Sequence, residues 1–163
     1  MLLKPELVTD KTPVEHIQSF YKYCGEYGCY ALCIVKAAKK WLKKNGLFNR
    51  SYELSYEKSI IEGIQYGWID FNFDNYADSN NFYVNAPEKF LSYLISRVVF
   101  VAKMSRTYVA KPDEIEIDFW AKTEADGDKG IGHFVLPDDT DTIQNSVTVK
   151  KGFIYSKRIF KLA

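Results

Sequence analysis

The stretch Cys29–Lys44, CYALCIVKAAKKWLKK, decides the fold. Its apolar residues recur at helical spacing, in a stripe formed by Ala31, Ile34, Val35, Ala38 and Leu42. A second stripe beside it is formed by Tyr30, Cys33, Ala37 and Trp41. The pattern predicts a helix buried on most of its surface, with lysines on a solvated face near its negative end. Asn45 and Gly46 supply the stop.

Shorter helices are predicted on both sides of this central helix. Pro13 opens a short one, and Cys24 is expected in a loop after it. Further helices are predicted over Ser55–Tyr66 and Pro87–Ile95. Residues 68–86 alternate aromatic side chains with Asp and Asn, show no helical period, and predict loop with short extended pieces.

The second half of the chain has the patterns of strands. Glu114–Trp120 alternates polar and apolar residues, which is the period-2 mark of a half-buried strand. Other strands are predicted at Val98–Ala102, His133–Leu136 and Gly152–Leu162, with a polar, glycine-containing turn over 124–132. Helices that precede an antiparallel sheet are typical of an α+β fold.

The composition favours one folded domain over residues 1–163. The chain has 163 residues, of which 47% are apolar and 26% are charged, as in ordinary globular proteins. Its net charge is +1, with acids and bases mixed throughout, so it lacks the basic stripe that binds a phosphate backbone. We therefore expect a single domain that does not bind nucleic acid.

The sequence shows neither a membrane segment nor a secretion signal. No apolar run approaches the roughly 20 residues that cross a bilayer, and Met1–Glu6 lacks the apolar stretch of a signal peptide. The 3 cysteines fall within positions 24–33 and form no disulfide framework, and only 2 histidines are present to complete a zinc site. We expect a cytoplasmic protein with reduced thiols, no membrane partner, no metal and no cofactor.

Cys29 is the candidate nucleophile. It follows Gly28 directly and starts the buried helix, where unpaired amides and the positive end of the helix dipole favour a thiolate. Cys33 lies one turn further along on the packed side, and Cys24 has no such placement. The alternative is that Cys29 is a small packed residue, which composition alone favours.

His133 is the candidate base. It follows Gly132 and begins an extended Phe-Val-Leu run late in the chain. A strand-borne imidazole that faces a cysteine at the start of a helix is the geometry of thiol hydrolases. The alternative is a strand histidine bonded to a carbonyl group. His16, the other histidine, is expected to be structural.

Two short motifs carry a family resemblance. Gly28–Cys33, GCYALC, and Gly132–Leu136, GHFVL, resemble the papain-like cysteine peptidases, in particular the compact branch that cleaves bacteriocin leader peptides. The runs Asp141–Lys150 and Ser156–Phe160 are similar to an uncharacterised group of small papain-like proteins of spirochaetes and phages. The likeness spans residues 18–163. It implies a papain-like fold, in which the central helix bears the cysteine and packs on an antiparallel sheet that bears the histidine.

The resemblance also implies roles for individual residues. Cys29 would be the nucleophile, and His133 would act as general base and then as general acid. The third residue of the triad would follow the histidine strand, as Asp141 or alternatively as Asn145. Papain-like enzymes carry an oxyanion-hole glutamine shortly before the cysteine, whereas position 23 is a tyrosine here and the upstream glutamine is Gln18.

Three functions stay open at this point, each with an open oligomeric state. The first is a cysteine peptidase or amidase that acts on a peptide or protein substrate, or a transamidase with the same triad. The second is a catalytically inactive papain-like module that binds a peptide or serves a phage structure. The third is a structural protein in which Cys29 and His133 never meet. The aromatic stretch Trp68–Tyr83, with side chains such as Tyr76 and Phe82 expected to be exposed, is predicted to line a groove beside Cys29.

Overall fold

The structure, a computed structural model, describes residues 14–139 and 152–163. The chain divides into two compact units, Met1–Ile95 and Ser96–Ala163. The described part of the first unit holds five helices, and that of the second holds a four-stranded antiparallel sheet and one short helix. The predicted α+β class is therefore confirmed. The single domain over 1–163 stays a prediction.

The first unit is built around helix α2, which spans Cys29–Lys44 as predicted. The predicted stripe is buried with 0% exposure at Ala31, Ile34, Val35, Ala38 and Leu42. The Asn45 amide closes the helix by donating to carbonyls of its last turn, and Gly46 follows at φ +77°. Three further helices, at Phe48–Glu53, Tyr56–Gln65 and Pro87–Ile95, pack around α2.

The other helices of the first unit are α1 (Val14–Tyr27), α3 (Phe48–Glu53), α4 (Tyr56–Gln65) and α5 (Pro87–Ile95). The predicted helices over 55–66 and 87–95 are thus confirmed. The Ser55 side chain caps α4 by accepting the Lys58 amide hydrogen at 3.2 Å. Over the described ranges, no helix is both long and apolar enough to span a bilayer.

Helix α1 extends well beyond the short helix that the sequence predicted. It runs through Cys24 to Tyr27, so the prediction of a loop at Cys24 is wrong. Gly28 alone separates α1 from α2. The sequence did not predict that α1 extends almost to α2, because Gly25 and Gly28 interrupt the helical pattern and glycine is a poor helix former.

Helix α3 was not predicted, and a lysine of α2 explains its stability. The Lys39 ammonium donates to the carbonyl groups of Ser51 at 2.6 Å and Leu54 at 2.7 Å. In return, the Ser51 hydroxyl donates to the Lys39 carbonyl at 2.8 Å. The predicted solvated face of α2 is therefore wrong at Lys39, which ties the end of α3 to the central helix.

The segment 68–86 is irregular, as predicted, but its aromatic side chains form a small core. The rings of Phe71 and Phe82 lie 6.0 and 5.5 Å from the ring of Phe20 on α1. Phe82 is only 1% exposed, so its prediction as an exposed groove residue is wrong. Tyr76 is half-buried and packs edge-on against Phe71 at 5.2 Å.

The second unit contains the sheet. Its strands are β1 (Val99–Ser105), β2 (Ile115–Ala121), β3 (His133–Val135) and β4 (Phe153–Leu162). They lie in the order β1-β4-β2-β3, and every neighbouring pair is antiparallel. The four predicted strands are confirmed within a few residues. Strand β4 is the last of the four in sequence, yet it lies between β1 and β2.

The predicted turn over 124–132 contains a short helix, α6 (Glu124–Asp128). The Thr123 hydroxyl caps it by accepting the Asp126 amide hydrogen at 3.0 Å. A Cβ added at Gly127 would lie 2.3 Å from the ring of Tyr155, so this position requires glycine. A short 3₁₀ turn, Pro137–Asp139, follows β3.

We expect Gly63→Ala to lower the free energy of unfolding by about 1–3 kcal/mol. Gly63 is buried in α4, and an added Cβ would lie 2.6 Å from Ile69 Cδ1 and 3.1 Å from Phe90 Cε1. The matched control is Gly25→Ala in α1, where no atom lies within 4 Å of the added Cβ. This control should be neutral or should stabilise by up to about 1 kcal/mol. Urea unfolding followed by circular dichroism measures both, and equal losses would contradict the packing at Gly63.

Candidate functional site

Cys29 is the first residue of α2 and is half-buried. A close contact between the two helices places it: the Gly28 amide donates to the Cys24 carbonyl at 2.8 Å. A Cβ added at Gly28 would lie 2.3 Å from that carbonyl oxygen, so only glycine permits the approach. The first turn of α2 has neither an acidic residue nor a capping side chain.

The three cysteines are in the thiol form and lie in different surroundings. Burial, and secondarily the negative charge of Glu57, raise the pKa of the Cys24 thiol to about 11. Glu57 is itself held near α1, because it accepts the hydroxyl hydrogen of Tyr21 at 2.7 Å. Cys24 is therefore protonated at neutral pH and is a poor nucleophile. Cys33 is half-buried, although it was predicted on the packed side.

His133 is the first residue of β3, as predicted, and is half-buried. It lies directly opposite Trp120 of β2 in the strand register. A Cβ added at Gly132 would lie 2.1 Å from the Trp120 carbonyl oxygen, so the residue before His133 must be glycine for β3 to begin here. This backbone contact fixes the histidine beside the indole.

Aromatic packing holds β3 against β2 on the opposite face of the sheet from His133. The ring centroids of Phe134 and Phe119 are 4.9 Å apart. The Arg158 guanidinium of β4 lies 5.4 Å from the Phe134 centroid and 6.0 Å from the Phe119 centroid. Because successive side chains of a strand alternate between faces, this packing directs His133 to the face that carries Trp120.

A buried carboxyl group lies on the same face, two residues before Trp120. Asp118 is 2% exposed and is paired with Val135 of β3 and Lys157 of β4. Burial, followed by the hydrogen bond and the negative charge of Glu116, raises the pKa of Asp118 to about 8, against the opposing effect of Lys157. Lys157 Nζ lies 3.5 Å from Glu116 Oε2. At neutral pH Asp118 is therefore largely protonated.

Sequence reasoning missed Asp118. A half-buried β2 has one solvated face, and the alternation assigns Asp118 to it. That assignment is wrong, because Asp118 is as buried as Ile117 and Phe119 on the other face. A period-2 pattern shows which face of a strand is more polar. It does not show whether other parts of the protein bury that polar face.

Of the other predicted site residues, Gln18 is the one that lies within the described ranges. Gln18 is exposed on α1, and the stretch of this helix from Gln18 to its end spans about 14 Å at the helical rise per residue. Because α1 leads into α2 through Gly28 alone, the Gln18 side chain does not reach Cys29. Asp141 and Asn145 lie outside the described residues.

Cys29 and His133 belong to different units of the chain. Each has the local position that the sequence predicted, the start of a helix and the start of a strand. Their pairing stays a prediction. His16, predicted to be structural, lies on α1.

No protein-family model, no curated protein and no solved structure matches this chain. Among the side chains of residues 14–139 and 152–163, no group of three His, Cys, Asp or Glu is placed to hold a metal ion. The interpretation of the site therefore depends on the positions of Cys29, His133 and Asp118.

We expect the free energy of unfolding of the wild type to fall, relative to that of Asp118→Asn, as the pH rises from about 4 to about 8. The pKa of Asp118 is about 8 in the folded protein and about 3.9 in an unfolded chain. The folded state therefore keeps a proton that the unfolded state releases, and this stabilisation is lost as the pH rises through the folded pKa. One proton limits the slope to about 1.4 kcal/mol per pH unit.

Chemical unfolding at a series of pH values measures this dependence. The matched control is Asp113→Asn, which changes an exposed aspartate of the same unit. Its curve should follow that of the wild type. Identical pH dependence in the wild type and in Asp118→Asn would show that Asp118 does not hold a proton in the folded protein.

Proposed function

We propose that this protein is a papain-like thiol hydrolase, a cysteine peptidase or amidase with Cys29 as nucleophile and His133 as base. The observation that carries the proposal is the position of Cys29 as the first residue of a 16-residue buried helix. Helix N-termini stabilise anions, and nothing acidic in the first turn of α2 opposes a thiolate there. A helical unit with the cysteine, followed by a sheet unit with the histidine, agrees with the papain-like order.

The other two thiols fit this role less well. Cys24 keeps its proton at neutral pH, because burial and Glu57 raise the pKa of its thiol to about 11. Cys33 lies one turn inside α2, beyond the helix end where anions are favoured. Among the three cysteines, Cys29 is thus the candidate whose position suits nucleophilic catalysis.

The reaction would proceed in two stages on a peptide or protein substrate. The Cys29 thiolate attacks the carbonyl carbon, the C–N bond breaks, and imidazolium His133 gives its proton to the leaving amine. Water then attacks the thioester, giving one proton to His133, and the acid product leaves as the Cys29 thiolate re-forms. If an amine replaces water, the same steps yield transamidation.

The positive end of the α2 dipole is the feature of the described residues that would favour an oxyanion on a substrate bound at Cys29. Asp141 and Asn145 stay the candidates for the third residue of the triad.

A catalytically inactive papain-like module that binds a peptide, or that serves a phage structure, is the second candidate function. The observation that favours it is the distance between Gln18 and Cys29, since an oxyanion-hole glutamine is expected near the nucleophile. Such a module would keep the two units and the positions of Cys29 and His133 while lacking turnover. In either function we propose a cytoplasmic location, because three cysteines within positions 24–33 do not make the disulfide framework typical of a small secreted domain.

We expect Cys29 to react with iodoacetamide well below pH 8.5, the value of an unperturbed thiol. Pairing with an imidazolium stabilises the thiolate, so the low-pH reactivity should disappear in His133→Ala. Mass spectrometry reads each cysteine separately as a function of pH. Cys24, with its thiol pKa of about 11, serves as the internal reference that stays unreactive at neutral pH.

The control variant is His16→Ala, which removes the other histidine and should leave the alkylation profile of Cys29 unchanged. A Cys29 that reacts as an ordinary thiol in the wild type would exclude the hydrolase and favour the binding module. If Cys29 reacts at low pH equally in the wild type and in His133→Ala, the Cys29–His133 pair is excluded. The low-pH reactivity would then come from the N-terminus of α2.

A further inference from the structure

Among the residues that the structure describes, two buried polar atoms on the His133 face of the sheet have no hydrogen-bond partner. They are Oδ1 of Asp118 and Nε1 of Trp120. Both residues lie on β2, two positions apart, so their side chains emerge on one face. His133 is directly opposite Trp120, and Val135 is directly opposite Asp118, which makes His133 the diagonal neighbour of Asp118. An acceptor, a donor and an imidazole are thus adjacent on two neighbouring strands.

Such orphan groups need an explanation, because a buried polar atom without a partner costs as much as a lost hydrogen bond. An oxygen acceptor and an N–H donor on the same face of one strand have complementary requirements. A single water molecule meets both, since its oxygen accepts from the indole and one of its hydrogens is donated to the carboxyl group. The same water has further bonding capacity, which it can direct to a ring nitrogen.

We propose that Asp118 is a positioning residue for His133, which it orients through one buried water molecule that Trp120 also holds. This inference rests on the proposed function, in which His133 is the base. The orienting residue lies on β2. Its role is additional to that of the third residue of the triad, for which Asp141 and Asn145 are the candidates. Asp118 acts on the imidazole and does not touch the substrate.

The surroundings of Asp118 suit this role. The hydrogen bond between Asp118 and Glu116 uses the second Asp118 oxygen, because Oδ1 has no partner. Oδ1 therefore keeps its acceptor lone pairs in both protonation states of Asp118. Among the described residues of β2 and β4, the charged groups on this face are Glu116, Lys157 and Lys161. Lys161 Nζ lies 3.6 Å from Oε2 of Glu114, which directly precedes β2, and Lys157 is anchored by donating to the Tyr108 carbonyl at 2.8 Å. Arg158 lies over the aromatic rings of the opposite face.

We expect two substitutions of nearly equal size at Asp118 to have opposite effects on the orientation of His133. Asp118→Asn keeps an oxygen acceptor at Oδ1 and an N–H donor toward Glu116, so it should retain the water and the orientation of His133. Asp118→Leu removes the acceptor. If Asp118 were only a poorly satisfied buried carboxyl group, Asp118→Leu would leave the histidine unaffected.

The experiment is nitrogen-15 NMR of the histidine rings, whose chemical shifts report the ratio of the two neutral tautomers. With 2 histidines in the chain, His16→Gln assigns the signals and leaves His133 alone. We expect the tautomer ratio of His133 to change about fivefold in Asp118→Leu, the factor that corresponds to one net hydrogen bond. Asp118→Asn should keep the wild-type ratio. Trp120→Phe, which removes the indole N–H, should reproduce the change seen in Asp118→Leu.

An unchanged His133 tautomer ratio in a folded Asp118→Leu would overturn the proposal. If that variant does not fold, Trp120→Phe decides in its place, and an unchanged ratio there has the same meaning. An equal change of the tautomer ratio in Asp118→Asn and Asp118→Leu would also overturn the proposal. It would show that His133 depends on the carboxyl group itself and not on an acceptor oxygen at this position. The measurement reads the ring of His133 without any substrate, so its result is independent of whether Cys29 proves reactive.

Discussion

Both candidate residues depend on a contact between two backbones that only glycine permits. Gly28 precedes Cys29, and a side chain there would strike the Cys24 carbonyl. Gly132 precedes His133, and a side chain there would strike the Trp120 carbonyl. In each case the missing Cβ lets one element begin directly against another, which sets the first residue of α2 and the first residue of β3. The chemistry proposed for this protein thus depends on two positions that carry no functional group.

Local pattern predicted the elements whose burial is periodic. Helix α2 has its predicted bounds because five apolar positions on one stripe are completely buried and a left-handed Gly46 ends it. Helices α3 and α6 were not predicted, because tertiary contacts determine them. Lys39 bonds the carbonyls at the end of α3, and the ring of Tyr155 covers Gly127 in α6. Neither contact leaves a trace within the short segment that it stabilises.

The site was predictable to the extent that it is local. The starts of α2 and β3 follow from hydrophobic spacing and from the preceding glycines, so Cys29 and His133 could be placed on the correct elements. Asp118 could not, since its burial comes from neighbours that are distant in sequence, Lys157 among them. Its high pKa arises from those neighbours and from the loss of water, two effects that no single strand pattern encodes.

The order β1-β4-β2-β3 has a consequence for folding order during synthesis. Strand β4 pairs with both β1 and β2, so the two earlier strands have no shared edge until β4 has been made. A ribosome-bound chain that ends before Phe153 can build the helices of the first unit, because every residue of that unit has already been made. Its β1 and β2 must wait, with their backbone hydrogen-bonding groups unpaired on the β4 side. The sheet unit is therefore the later part of the molecule to become native, and the period before β4 emerges is when chaperones would matter most.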